Sequence, residues 1–319
     1  MFKRKVQFKK ALTMMVMVIM LVSMLAPASY AFEQMDANKP ATLTVEFTGS
    51  STKVEGMEFK AYQIATFTDS YGFEFTSTFK GYGISMAEDQ AGYRAMAETL
   101  SGYIARDGIA PTATAVTDAA GKAPFGELPK GLYLVLADRY TWEANKMTYI
   151  TSPTLVALPN STDGNTWIYD VTISPKYTEI PPLPETPGKT DINVIKVWSG
   201  EESQSKRPTY IYAELICDGQ VIDTVTLNSG NNWRHTWKDL DATRTYNVTE
   251  KEVPAGYTVT TVRDGSTFTI NNNAGRTPPP TPPRTPRLPQ TGQLWWPVPI
   301  LAGLGFIFLV TGLVRRKLS

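Results

Sequence analysis

Apolar and polar residues alternate with period two along several short runs of this chain. Leu43, Val45 and Phe47 alternate with Thr44 and Glu46, which places the apolar set on one face of a strand. Gly131-Leu132-Tyr133-Leu134-Val135-Leu136 is a continuous apolar strand after a Pro-Lys-Gly turn, and Tyr210 to Cys217 is a strand-like run that stops at Asp218-Gly219. Asp163-Gly164-Asn165 and Asp218-Gly219-Gln220 are turn signals. One stretch has helical spacing instead: Tyr93, Met96, Ala97, Leu100, Tyr103 and Ile104 predict an amphipathic helix over 87–106, lying on a sheet by its apolar stripe. The pattern is that of an all-β chain, two β-sandwich domains in tandem with a helix inserted in the first.

Two proline-rich segments set the boundaries. The first, 178–190, holds Pro181, Pro182, Pro184 and Pro187 and reads as a linker; the second, Arg276 to Pro289, holds seven prolines. Such segments favour polyproline II and act as semi-rigid spacers. The expected domains are therefore 38–177 and 191–273, each long enough for its own core, with a proline-rich spacer over 274–287.

In the second domain, period two produces an unusual interior. Ile192, Val194 and Lys196 share one face of a strand that continues to Trp198; Tyr246, Val248 and Glu250 share a face of another; Phe268, Ile270 and Asn272 share a face of the last. Each strand offers two apolar residues and then a polar one. A lysine, a glutamate and an asparagine would thus enter one apolar interior, at a cost of several kcal/mol unless they neutralise one another. Chance alternation or a plain buried salt bridge would give the same pattern.

The two ends carry addresses. Lys3, Arg4, Lys5, Lys9 and Lys10 precede an apolar run from Ala11 to Leu25, and Ser29-Tyr30-Ala31 supplies small residues for cleavage after Ala31, with Ala26-Pro27-Ala28 as a second site. Residues 1–31 therefore read as a signal peptide. At the other end Leu288-Pro289-Gln290-Thr291-Gly292 precedes an apolar segment, Leu294 to Val314, then Arg315-Arg316-Lys317. That run is long enough to cross a hydrocarbon core of about 30 Å as a helix. The ends hold eight of the 31 basic residues and none of the 30 acidic ones, so the part between them carries 23 basic against 30 acidic residues. An excess of negative charge argues against nucleic acid or anionic lipid as partner. Cys217 is the only cysteine, so no disulfide can form within the chain. It reads as a buried structural thiol.

These residues carry three resemblances. Leu288, Pro289, Gln290, Thr291 and Gly292 with the apolar run and basic tail (288–319) resemble the sorting signal of Gram-positive surface proteins, which implies cleavage by a sortase and attachment through the Thr291 carbonyl to peptidoglycan. The runs 192–198, 246–250 with Pro254-Ala255-Gly256-Tyr257, and 268–272 resemble the first strand, the E-box and the last strand of the Cna B-type domain, an immunoglobulin-like sandwich. That resemblance implies an intramolecular isopeptide bond between Lys196 and Asn272, assisted by Glu250. Burial would lower the pKa of Lys196 and raise that of Glu250, giving a neutral amine beside a protonated carboxyl; attack on the carboxamide would release ammonia. The runs 125–133 and 167–176 look like the N-terminal domain of sortase-assembled pilins. Lys176 stands at the position that receives the next subunit, and the short Ile-x-Pro-Lys form resembles basal pilins. Phe47 occupies the place of Lys196 in the first domain and Ala137 that of Glu250, so no comparable bond is expected there.

The expected product is an exported protein, covalently anchored at the surface of a Gram-positive wall, that joins other pilin subunits in adhesion. The alternative is a monomeric adhesin, with Tyr140, Trp142 and Tyr149 offering a contact to host extracellular matrix or carbohydrate. An enzyme finds little material: His235, the only histidine, lies between Trp233 and Trp237 as a packing residue, and no metal or other cofactor is expected.

Overall fold

The computed structural model describes residues 34–50, 52–161, 166–182, 188–200 and 207–275. The expected signal segment with Ala31, the Asp163-Gly164-Asn165 turn, the second proline-rich segment from 276, and the sorting segment with Leu288, Pro289, Gln290, Thr291 and Gly292 lie outside these residues.

Eighteen strands account for about half of the described chain. In the first half, β1 (Thr42–Glu46) lies between β5 (Lys122–Glu127), antiparallel, and β10 (Asp170–Ile173), parallel. The other sheet runs β3 (Phe73–Phe75), β2 (Glu58–Phe67), β6 (Gly131–Ala137), β9 (Thr154–Leu158), with β4 (Ala113–Val116) also on β2. Leu43, Val45 and Phe47 from the first sheet pack with Phe59, Ala61, Tyr133 and Val135 from the second. The alternation legible in 43–47 is thus that of a half-buried strand.

A third small sheet, β11 (Tyr177–Ile180), β8 (Thr148–Thr151), β7 (Tyr140–Thr141), closes one end. β11 takes residues 178–180 of the expected linker into the ladder with β8. This sheet also corrects the reading of the loop aromatics. Tyr149 is 2% exposed and meets Phe47 edge-on at 5.6 Å; Trp142 packs on the core; Tyr140 packs there too and donates to the Glu55 carbonyl. Apolar area removed from water outweighs display of three rings, and no exposed aromatic platform remains there.

The second half forms a sandwich of β15 (Arg234–Asp241), β12 (Lys189–Ser199), β18 (Thr267–Asn273), β17 (Thr258–Asp264) against β14 (Gln220–Asn228), β13 (Tyr210–Cys217), β16 (Tyr246–Glu250). Asp218 and Gly219 turn the hairpin between β13 and β14 with φ of 47° and 81°, the left-handed pair that Asp-Gly supplies at low cost. Cys217 is buried at the end of β13.

The helix, α1, spans Gln90–Asp107. It starts later than its apolar spacing suggests because Asp89 caps it, accepting from the Gly92 amide at 2.7 Å, and it ends on Gly108 at φ 61°. One face packs on the first sandwich through Met96, Ala97, Leu100 and Ile104. The helix is also buried against the second sandwich: Thr99 and Gly102, outside the apolar stripe, are covered there, and Tyr103 of the stripe itself enters that sandwich's core. Gly102 permits that approach, since a Cβ there would sit 2.7 Å from Cγ2 of Thr249.

Candidate functional site

The second sandwich brings together the three polar residues that its period-two pattern directs inward. β12 buries Ile192, Val194 and Lys196 in alternation; β16 buries Tyr246, Val248 and Glu250; β18 buries Phe268, Ile270 and Asn272. Lys196 is 4% exposed, and Glu250 and Asn272 are 0% exposed. β12 and β18 are hydrogen-bonded parallel neighbours in one sheet, so Lys196 and Asn272 enter the same interior from adjacent strands, two residues apart in register. Glu250 comes from the opposite sheet.

Across the gap between the sheets, Nδ2 of Asn272 donates to Oε1 of Glu250 at 3.0 Å. Nζ of Lys196 donates to the carbonyls of Val197 at 2.9 Å and Ile270 at 3.4 Å. It also lies 4.1 Å from the centre of the Trp198 ring, a cation–π distance. Trp198 meets Trp233 and Tyr257 edge-on, at 5.3 and 5.2 Å. The lysine therefore sits under an aromatic cover beside a carboxyl and a carboxamide, with a core of Val194, Val248, Phe268 and Ile270 around it.

Burial pushes the Glu250 carboxyl up to about 7, against the opposing pull of Lys196 and of the Asn272 hydrogen bond. Oε2 of Glu250 and Oδ1 of Asn272 are buried without a hydrogen-bond partner. Two orphaned buried oxygens are costly. A proton on the carboxyl would supply a donor.

The remaining sequence candidates fall elsewhere. Lys176 is exposed in the three-residue break between β10 and β11, where its carbonyl accepts from the Ser152 amide at 2.7 Å. Phe47 is buried among Phe59, Tyr149 and Tyr177, and the buried polar residues of the first sandwich are threonines. His235 is half-buried, edge-on to Trp237 at 4.9 Å. Among the described residues, no cluster of three or more His, Cys, Asp or Glu is placed to hold a metal ion.

Sequence reasoning missed one set of contacts at this site. Tyr103 of α1 belongs to the core of the second sandwich, and its hydroxyl donates to the Glu250 carbonyl at 3.2 Å. The signal was present in Thr99, Ser101 and Gly102, small residues opposite the apolar stripe, but small residues on a helix also suit a solvated face.

Residues 29–178 match the family described as Gram-positive pilin subunit D1, N-terminal domain, and residues 192–273 match the Cna protein B-type domain. A collagen adhesin of Staphylococcus aureus is 38% identical over 118 residues, which is 35% of this chain and 9% of that protein. Among solved structures, a single B repeat unit of the collagen-binding surface protein of Staphylococcus aureus is 20% identical, covering 74% of this chain and 98% of that one at a TM-score of 0.26. The minor pilin of Streptococcus agalactiae is 20% identical, covering 75% and 98% at a TM-score of 0.23.

Proposed function

We propose, from the premise that this chain is a pilin-type protein of the Gram-positive kind with a Cna B domain, that it is a wall-anchored pilus subunit, the basal one, stabilised by a self-formed amide between Lys196 and Asn272. The observation that carries the amide is the burial of Lys196, Glu250 and Asn272 at one place, with Asn272 held by Glu250 at 3.0 Å. In an apolar interior, a neutral amine and a protonated carboxyl are cheaper than a charged pair. A carboxyl titrating near 7 supports that state.

The chemistry needs no external reagent. The lone pair of Lys196 Nζ attacks Cγ of Asn272 while Glu250 protonates the carboxamide; Glu250 then takes a proton from the attacking nitrogen and passes it to Nδ2, which leaves as ammonia. One C–N bond forms, one breaks, and the carboxyl regains its proton. It is a single turnover of the protein on itself, and the chain is a surface protein rather than an enzyme.

Attachment rests on two positions. Thr291, within Leu288-Pro289-Gln290-Thr291-Gly292, would be joined by a sortase to peptidoglycan, and Lys176, exposed on a short break between strands, would receive the threonyl carbonyl of the next subunit. An immunoblot of wall material released by a muralytic enzyme tests this reading. A high-mass ladder in the wild type that is lost in Lys176→Ala is expected; a single band in both strains would leave a monomeric wall-anchored adhesin.

A further inference from the structure

The second sandwich is open along one side, where β16 and β17 are the edge strands of its two sheets. Edge strands present unpaired backbone groups and are ordinarily blunted or covered. Here the cover comes from the first domain. Thr99 Oγ1 accepts from the Thr261 amide on β17 at 2.7 Å, and the Gly83 carbonyl accepts from Val259 on the same strand at 2.9 Å. On β16, the Glu250 carbonyl takes the Tyr103 hydroxyl at 3.2 Å, and just beyond it the Lys251 carbonyl takes Nη1 of Arg106, also at 3.2 Å. Tyr103, 2% exposed, puts its ring into the second sandwich's own core. Tyr82, stacked on it at 4.8 Å, packs against the same core.

We propose that α1 completes the reaction pocket of the second sandwich, with Tyr103 as a positioning residue that holds the Glu250 end of β16 and keeps water from its carboxyl. The amide therefore forms only once the two domains have docked. The inference rests on the Lys196–Asn272 reading above and adds a dependence that the second sandwich alone would not have. A chain whose first domain is misfolded stays unlinked.

The groups that bear on Glu250 are few. Lys196 on β12 and Asn272 on β18 face its carboxyl, and Tyr103 and Arg106 on α1 face its carbonyl. Glu214 on β13 pairs with Arg106 at 3.8 Å, and Asp107 is held by Tyr82 and Arg106. Opening the seam would hydrate Glu250 and return its titration toward that of an ordinary carboxyl, which burial alone had raised.

The test uses the full chain, solubilised unreacted in urea and refolded by dilution, with loss of one ammonia followed by intact mass at a series of pH values. Tyr103→Ala removes the seal. Gly102→Ala raises helix propensity but pushes α1 off Thr249, 2.7 Å from the added Cβ, so it separates docking from helix stability. Both variants are expected to react about tenfold more slowly at neutral pH, with the pH midpoint of the rate lowered by about one unit; Tyr103→Phe, which keeps the ring, is expected to restore the wild-type midpoint. A wild type that loses ammonia while both variants match its rate and midpoint overturns the role of α1 and leaves the amide standing. Full-length wild type that loses no ammonia overturns the amide and this inference with it.

Discussion

Asn272 stands opposite Trp198, and Lys196 opposite Ile270, in the parallel pairing of β12 with β18. The lysine thus reaches two residues forward along its own strand, about 6.6 Å at parallel-strand rise, with its Nζ over the Trp198 ring on the way. A shift of one residue would turn Asn272 to the outer face, so the register of the first and last strands decides whether the two groups meet at all.

That pairing predicts a mass and a stability. The full chain is expected to weigh one ammonia less than its sequence after signal removal, and Lys196→Ala or Glu250→Ala restores the full mass. Closing a loop of about 77 residues contributes roughly 4 to 5 kcal/mol if the loop-entropy estimate for disulfides is carried over. Lys196→Ala should therefore lower the urea midpoint strongly and steepen the slope, since the untied unfolded chain exposes more surface. An unaltered midpoint would show that no covalent tie had been lost.

The unreacted protein should also show a pH signature. In Lys196→Met no amine is left to attack, and the cation that draws the Glu250 pKa down is gone, so the carboxyl titrates above the value of about 7 set with the lysine present. Its folded pKa then exceeds its unfolded value of 4.5. Below 4.5 both states hold the proton and nothing is lost. As pH rises from there, the unfolded chain releases a proton that the native state keeps, and stability falls until the folded pKa is passed. The expected loss is on the order of 3 kcal/mol between pH 4 and 8, read from urea midpoints at the two ends; a flat profile would place Glu250 in contact with water.

The interior of the second sandwich was legible because strand parity is a strict rule: once Ile192 and Val194 face inward, Lys196 must follow. The same rule separated Asn272 from its neighbours Asn271 and Asn273, one half-buried and the other exposed. What parity cannot state is which outer surfaces meet. Thr249 faces away from its sheet's core and still is 1% exposed, because Gly102 lies against it. Tyr149 misled for a related reason: it sits in a connection, but the connection folds into a sheet that covers Phe47.

Anchoring is expected to depend on one carbonyl. Thr291→Ala should leave the chain extractable from the membrane fraction by detergent and absent from enzymatically released wall material. The strand and helix structure of 34–275 should be unchanged, since residue 291 is remote from it in sequence. Recovery of the variant in the wall fraction at wild-type level would count against a sortase acting there.

The junction between the domains should hinge on Thr99. Its hydroxyl accepts the Thr261 amide at 2.7 Å and donates to the Ala95 carbonyl at 2.6 Å, so it both bends toward its own helix and satisfies an edge-strand N–H that water cannot reach. Thr99→Val keeps the shape and removes the acceptor, leaving the Thr261 amide buried without a partner. The cost is about 1 to 3 kcal/mol. It should appear as faster amide exchange at Thr261 and Val259, whose acceptors both come from the first domain, with exchange in β1 and β6 unchanged. Were exchange to rise equally in both sandwiches, the substitution would have weakened the whole unit, and Thr99 would be a core residue of α1 rather than a latch between domains.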